Sequence, residues 1–206
     1  MKKLLLTATA FAAVAATPAF ADQGDWLIRL RALSVAPNED ATITPIGGNV
    51  DIDSSVVPEL DISYFFTDNI AAELILGVTP HDVMAVNTAA GNVDLGNVWL
   101  LPPTLTFQYH FNPDGAFRPY VGAGVNYTVF FGDDLPTGGV ATTINYDNSF
   151  GLAGQIGADF DVNETWFMNV DLKYIDINTD VTINNAITAD VDIDPWVFGI
   201  GFGRRF

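Results

Sequence analysis

The 206-residue sequence has no cysteine, few basic residues and, beyond its first 21 positions, no long apolar run. Each shortage excludes something. Without cysteine there is no disulfide staple, and two histidines, His81 and His110, give no zinc-ligand spacing. Eight Lys and Arg against 25 Asp and Glu leave a formal charge of −17, which would repel phosphate and excludes nucleic acid as a partner. No stretch after residue 21 holds 18 uninterrupted apolar residues, so no spanning helix is encoded there. Acidic chains can stay disordered, but this one is 49% hydrophobic and 12% aromatic, the composition of a folded protein.

The one apolar run is at the start. Lys2 and Lys3 precede Leu4 to Ala16, and Ala19-Phe20-Ala21 is a small-x-small cleavage site. That pattern predicts an export leader over 1–21 and a mature domain over 22–206. The run is shorter than the ~20 residues a membrane anchor needs. With Lys2 and Lys3 gone, the 185 mature residues carry six basic side chains against 25 acidic ones, a formal charge of −19.

The remaining hydrophobicity lies in short segments with a period of two. Trp26, Ile28, Leu30 and Ala32 share one face, and Arg29 and Arg31 the other. The same alternation recurs over 59–66, 70–78, 104–111, 118–129, 150–160, 166–174 and 196–203. Short turns at 67–69, 112–115 and 161–165 alternate with long links at 36–55, 79–97, 131–148 and 178–190. In a bilayer, alternating segments can satisfy their backbone only by closing on themselves. The prediction is an all-β fold, an eight-stranded antiparallel transmembrane β-barrel with short periplasmic turns, long extracellular loops and both termini periplasmic. Aromatics fall into two girdles: Trp26, Tyr64, Phe66, Tyr109, Phe111, Trp166 and Phe206 near the periplasm, and Tyr127, Phe130, Tyr174 and Trp196 near the outside. A soluble sandwich or lipocalin-like barrel would turn the apolar faces inward. The export signal and the terminal phenylalanine speak against it.

Several blocks resemble the OmpW family of outer-membrane proteins along nearly the whole mature chain. They are Gly24-Asp25-Trp26 with Ile28-Arg29-Leu30-Arg31, Thr79-Pro80-His81-Asp82, Leu101-Pro102-Pro103-Thr104-Leu105, Gln108-Tyr109-His110-Phe111, the run from Phe117 to Thr128, Asp194-Pro195-Trp196 and Arg205-Phe206. The resemblance implies a Gram-negative outer-membrane barrel with a narrow, largely apolar lumen that passes small hydrophobic molecules. It also implies contact with the outer-membrane assembly machinery, for which Phe206 is the expected signal. Arg204 stands where relatives usually carry an aromatic.

Sorting the inward residues by height separates two regions. Leu33, Val35, Val57, Ile75, Ile175, Ile177 and Val197 are expected to line an apolar outer lumen, a capture site for a hydrophobic solute. Arg29, Arg31, Asp61, Glu73, Arg118, Asp159, Asp171 and Lys173 are expected to form a charged floor, which can equally be a satisfied plug. Inward glycines such as Gly122, Gly199 and Gly203 leave space or permit curvature, and the sequence does not separate the two. Pro58, Pro102 and Pro103 flank the third segment and remove ladder hydrogen bonds, which makes them candidates for a lateral opening into the bilayer. No serine–histidine–acid group can be assembled at one height, so no enzyme, metal or cofactor is expected. Expected partners are outer-membrane lipid, small hydrophobic solutes and the assembly machinery. The other readings are a barrel that displays its loops as a receptor and a lipid-modifying barrel enzyme.

Overall fold

A computed structural model describes residues 23–206; the expected leader lies outside them. Among the described residues the regular structure is entirely β. The strands are β1 (Trp26–Ala36), β2 (Asp40–Thr44), β3 (Asn49–Ile52), β4 (Ser55–Phe65), β5 (Ile70–Gly77), β6 (Thr79–Thr88), β7 (Gly91–Leu101), β8 (Thr104–His110), β9 (Phe117–Asp134), β10 (Ile144–Tyr146), β11 (Ser149–Asp161), β12 (Trp166–Ile175), β13 (Asn178–Ile183), β14 (Ile187–Asp192) and β15 (Trp196–Arg205).

Eight of them close the barrel in the order β1-β4-β5-β8-β9-β11-β12-β15, with β15 returning antiparallel to β1. The register puts Arg29 opposite Asp61 and Arg31 opposite Glu59, so the alternation seen in β1 continues around the wall. Outward positions carry exposed apolar side chains such as Leu30, Phe107, Leu152 and Phe198, as a lipid-facing wall requires.

The four long links are not loops for most of their length. β6 and β7 form a hairpin flanked by β3 and by the upper end of β9, while β10, β13, β14 and β2 make a second sheet. β9 alone has 18 residues, about 60 Å at ~3.3 Å per residue, and so outreaches the ~30 Å hydrocarbon layer even when tilted. Above the membrane the alternation reverses sign. Val83, Ala85, Val181, Ile183, Ala189 and Val191 point inward and are buried, while Asp82, Asp180, Thr188 and Asp190 point out to water. A search for apolar-outward segments passes over such strands, which is why these stretches read as loops. The two sheets form a canopy whose inner face continues the apolar lumen in one buried cluster, from Leu33 and Val197 up to Ile43 and Ala141.

One aromatic expectation needs correction. Trp26 and Tyr64 (4.9 Å between rings), Tyr109 and Phe111 (5.0 Å), and Tyr174 and Trp196 (5.2 Å) pair at the two rims. Phe130 instead turns inward and stacks on Tyr146 inside the canopy, because β9 has by then left the membrane.

At the short-turn end Trp26 and Phe206 exchange backbone hydrogen bonds (3.1 and 2.9 Å), and Arg204 lies over the Phe206 ring at 4.7 Å. Deleting Phe206 removes the last pair that closes the barrel. The expected result is a lower folded fraction in the outer membrane, read as loss of the fast-migrating unboiled band on a gel. A normal band would count against an assembly role for this residue.

Candidate functional site

The floor is built from side chains whose heights are set by register. Arg29 donates to Asp61 (3.0 Å), Ser63 (2.7 Å) and Asp159 (3.2 Å) and lies 3.5 Å from Glu73. Arg31 pairs with Glu59 and Asp61 and donates to Asn169 (3.2 Å). Lys173 is bonded to Asp171, which accepts from the Tyr120 hydroxyl (3.0 Å). Gln155 donates to Glu73 (2.8 Å). All of these charged groups are buried. Arg29 also faces the Tyr120 and Phe167 rings at 5.8 and 5.4 Å. Beneath lie Leu27, Phe65, Ala71 and Phe167, each with no exposed surface, and His110 stacked on Tyr120.

Seven of the eight predicted floor residues meet in this network. Arg118 does not. Its backbone is opposite Asp159, but its guanidinium reaches down to Asp161 (2.7 Å) and the Gly115 carbonyl (3.0 Å) at the periplasmic end. Asp161, in the expected turn 161–165, is therefore part of the periplasmic end of the site. Glu59 and Tyr120 also belong to the floor; their inward parity was the only available signal. The glycine question is settled by packing, since a methyl at Gly203 would collide with the Phe167 ring and one at Gly157 with the Tyr120 ring. Small residues here make room for the plug.

Above the floor is a chamber with about 590 Å³ free of protein atoms, its open parts included. Leu33, Val35, Ile75, Ile175, Ile177 and Val197 line it. Val57 is buried in the same cluster without facing the chamber. A second chamber of about 560 Å³ lies inside the canopy and shares His81, Leu100 and Ile193 with the first. It shares Ile43, Leu95 and Ile183 with an outer hollow of about 1060 Å³ among the canopy ends. The canopy half of this column is not legible in the sequence, because its strands carry polar residues outward.

The third segment is poorly tied at chamber height. The β4–β5 ladder ends at Glu59 opposite Gly77, and β5–β8 at Ile75 opposite Thr104. Pairing resumes only at Thr79 with Leu100, and above it where the Asp53 amide donates to the Asp82 carbonyl (3.1 Å). Pro58 lies at this gap with its side facing out, opposite Ala32, and borders an apolar hollow on the outer wall. Pro102 lines the chamber, and the Pro103 carbonyl accepts from the Tyr127 amide (3.1 Å).

His81, expected in a loop, points inward from β6. Its Nδ1 lies 2.7 Å from the Asp53 carbonyl. Burial holds its pKa below the ordinary 6.5, against the opposing pull of that bond and of Asp53 and Asp82. Outside the canopy Asp51, Asp53, Asp82, Asp94 and Asp134 border a hollow, but among the described residues no His, Asp and Glu group is placed to hold a metal ion.

A closed eight-stranded antiparallel barrel with an apolar outer wall and a charged plug defines a small outer-membrane β-barrel protein of Gram-negative bacteria, embedded in membrane lipid. The chain belongs to the OmpW family, whose model matches residues 22–206. It is 44% identical over 186 residues to the uncharacterized outer-membrane protein y4mB of Sinorhizobium fredii, covering 88% of this chain and 80% of that one. It is 36% identical to outer membrane protein W of Vibrio cholerae over the full length of both. The dibenzothiophene metabolism operon protein PahQ of Pseudomonas aeruginosa is 28% identical over 93% of each chain. Among solved structures it resembles the outer membrane protein OprG of Pseudomonas aeruginosa, with a TM-score of 0.82, 33% identity and coverage of 90% of this chain and 97% of that one. None of these relatives bears an enzyme's name.

Proposed function

We propose that the protein passes small hydrophobic molecules across the outer leaflet, taking them up through the canopy and releasing them sideways into the membrane. The observation that carries this reading is an apolar column that opens outward and ends on a packed floor. A solute that enters must find another exit, and the weakly tied wall beside Pro58, Gly77 and Pro102 adjoins the lower chamber. Apolar burial contributes ~0.8 kcal/mol per methylene, enough to draw a solute from water through a few contacts. The name of PahQ ties that relative to the metabolism of an apolar heterocycle, which agrees with this solute class.

The test is solute entry into cells or liposomes carrying matched amounts of folded barrel. Ile175→Asp or Ile177→Asp, each on the chamber wall, should lower entry strongly. Neutralising Asp171 and Lys173 together should change it little, because the floor is a plug. The opposite pattern would mean that the route runs straight through the floor.

A further inference from the structure

The two chambers meet at a waist lined by His81, Leu100 and Ile193, and Thr79, two residues before His81 on the inward face of β6, lines the lower chamber just beneath it. We propose that Thr79 and His81 form a hydroxyl-binding notch, so that the column favours an unbranched apolar chain ending in one O–H, a medium-chain alcohol. This rests on the passage reading above and names its solute class.

The argument begins with the tautomer. A carbonyl oxygen can only accept, so the 2.7 Å contact with Asp53 places the proton on Nδ1. The neutral ring then leaves Nε2 as a bare acceptor on its other side, on the inward face where His81 lines the lower chamber. The other polar side chains of the lower chamber are engaged: Glu59 pairs with Arg31, Lys173 with Asp171, and the Thr104 hydroxyl donates to the Pro102 carbonyl (3.0 Å). In the upper chamber the Thr179 hydroxyl donates to the Asp147 carbonyl (2.7 Å). Among the described residues neither His81 Nε2 nor the Thr79 hydroxyl has a protein partner, and both residues are about 95% buried. An alcohol placed at the waist donates to Nε2 and accepts from Thr79, and its chain lies on Leu100 and Ile193. An alkane in the same place leaves both groups unsatisfied, and sites built around a hydroxyl reject analogues that lack one. Shape adds a second selection. The lower chamber is narrow, which suits a thin chain better than a fused ring.

Protonation reverses the notch. The charged groups around the ring are Asp53 before β4, Asp82 on β6 itself, and Glu59 of β4 and Lys173 of β12 at the base of the lower chamber; Tyr146 of β10 faces it from above. Burial keeps the imidazole neutral at neutral pH. Below its depressed pKa, Nε2 becomes a donor and a charge sits in the waist.

The experiment uses the folded barrel in lipid nanodiscs, with 1-octanol and n-octane as probes and empty nanodiscs to correct for partition into lipid. The imidazole 15N spectrum reports the ring directly. Octanol should shift the His81 Nε2 resonance, octane should not, and octanol should bind about tenfold more tightly, the worth of one satisfied buried hydrogen bond. His81→Leu and the isosteric Thr79→Val should each reduce that preference while octane still binds. As the pH falls through the depressed His81 value, followed in the same 15N spectrum, the wild-type preference should vanish. Equal binding of both probes by the wild type, or a preference that survives both substitutions, overturns the notch and leaves the passage reading standing. If neither probe binds, the passage reading falls and takes the notch with it.

Discussion

Leu100→Asp or Ile193→Asp should abolish uptake of a small apolar solute while leaving the barrel folded. Both side chains line both chambers, so a solute moving from canopy to lumen passes between them. Both are about 95% buried. A carboxylate there either stays ionised, at a desolvation cost of several kcal/mol, or draws water into the waist that the solute must displace. Each 1.4 kcal/mol is a factor of ten, so a loss of about a hundredfold in entry rate is expected from only part of that cost. Leu100→Met and Ile193→Val keep the wall apolar and should pass solute at near the native rate. Uptake by the aspartate variants at the wild-type rate, with equal amounts of folded protein, would show that solute does not cross the waist.

Arg29→Met should destabilise the barrel by about 3–5 kcal/mol, the usual result of stranding buried charges. Three cations, Arg29, Arg31 and Lys173, face five carboxylates, Glu59, Asp61, Glu73, Asp159 and Asp171, in the floor. Arg29 touches three of those carboxylates and fills the space between the Tyr120 and Phe167 rings. Removing it leaves Asp61 and Asp159 buried with poorer compensation. Adding Asp159→Leu should restore part of the loss, since an apolar replacement of both partners removes the stranded charge. Urea unfolding from lipid vesicles, followed by tryptophan fluorescence, measures both variants. A wild-type midpoint for Arg29→Met would mean that the floor does not hold the barrel together.

Legibility followed the side-chain period and stopped where height mattered. Arg29, Asp61, Glu73 and Lys173 could be placed inward and low from parity and distance to a turn. Arg118 had the right parity and the wrong partner, because an arginine side chain spans more than one rung and Asp161 was within its reach. Leu33, Ile175 and Ile193 were recognisable as the upper lumen, whereas Leu100 and Val181 were not: Val181 lies between the polar residues Asp180 and Thr182, and Leu100 lies in the continuous apolar run 98–101, where no alternation marks a face. His81 gave no signal at all as a lumen residue. A single histidine beside aspartates reads as an exposed loop until the strand that carries it is known.

The sequence by itself determined the barrel, its eight strands, the end that holds both termini and the face that meets lipid. It could do so because a bilayer leaves the backbone few ways to be satisfied, and a two-residue period assigns every side chain to one of two faces. Only the tertiary structure decided that the long links stack into a canopy, that eight distant charges meet in one floor, that the two chambers join at His81, Leu100 and Ile193, and that the wall beside Pro58 is weakly tied. Those depend on which rung of one strand lies opposite which rung of another. Register between segments as far apart as Leu27 and Arg205 is fixed by packing, and no local pattern records it.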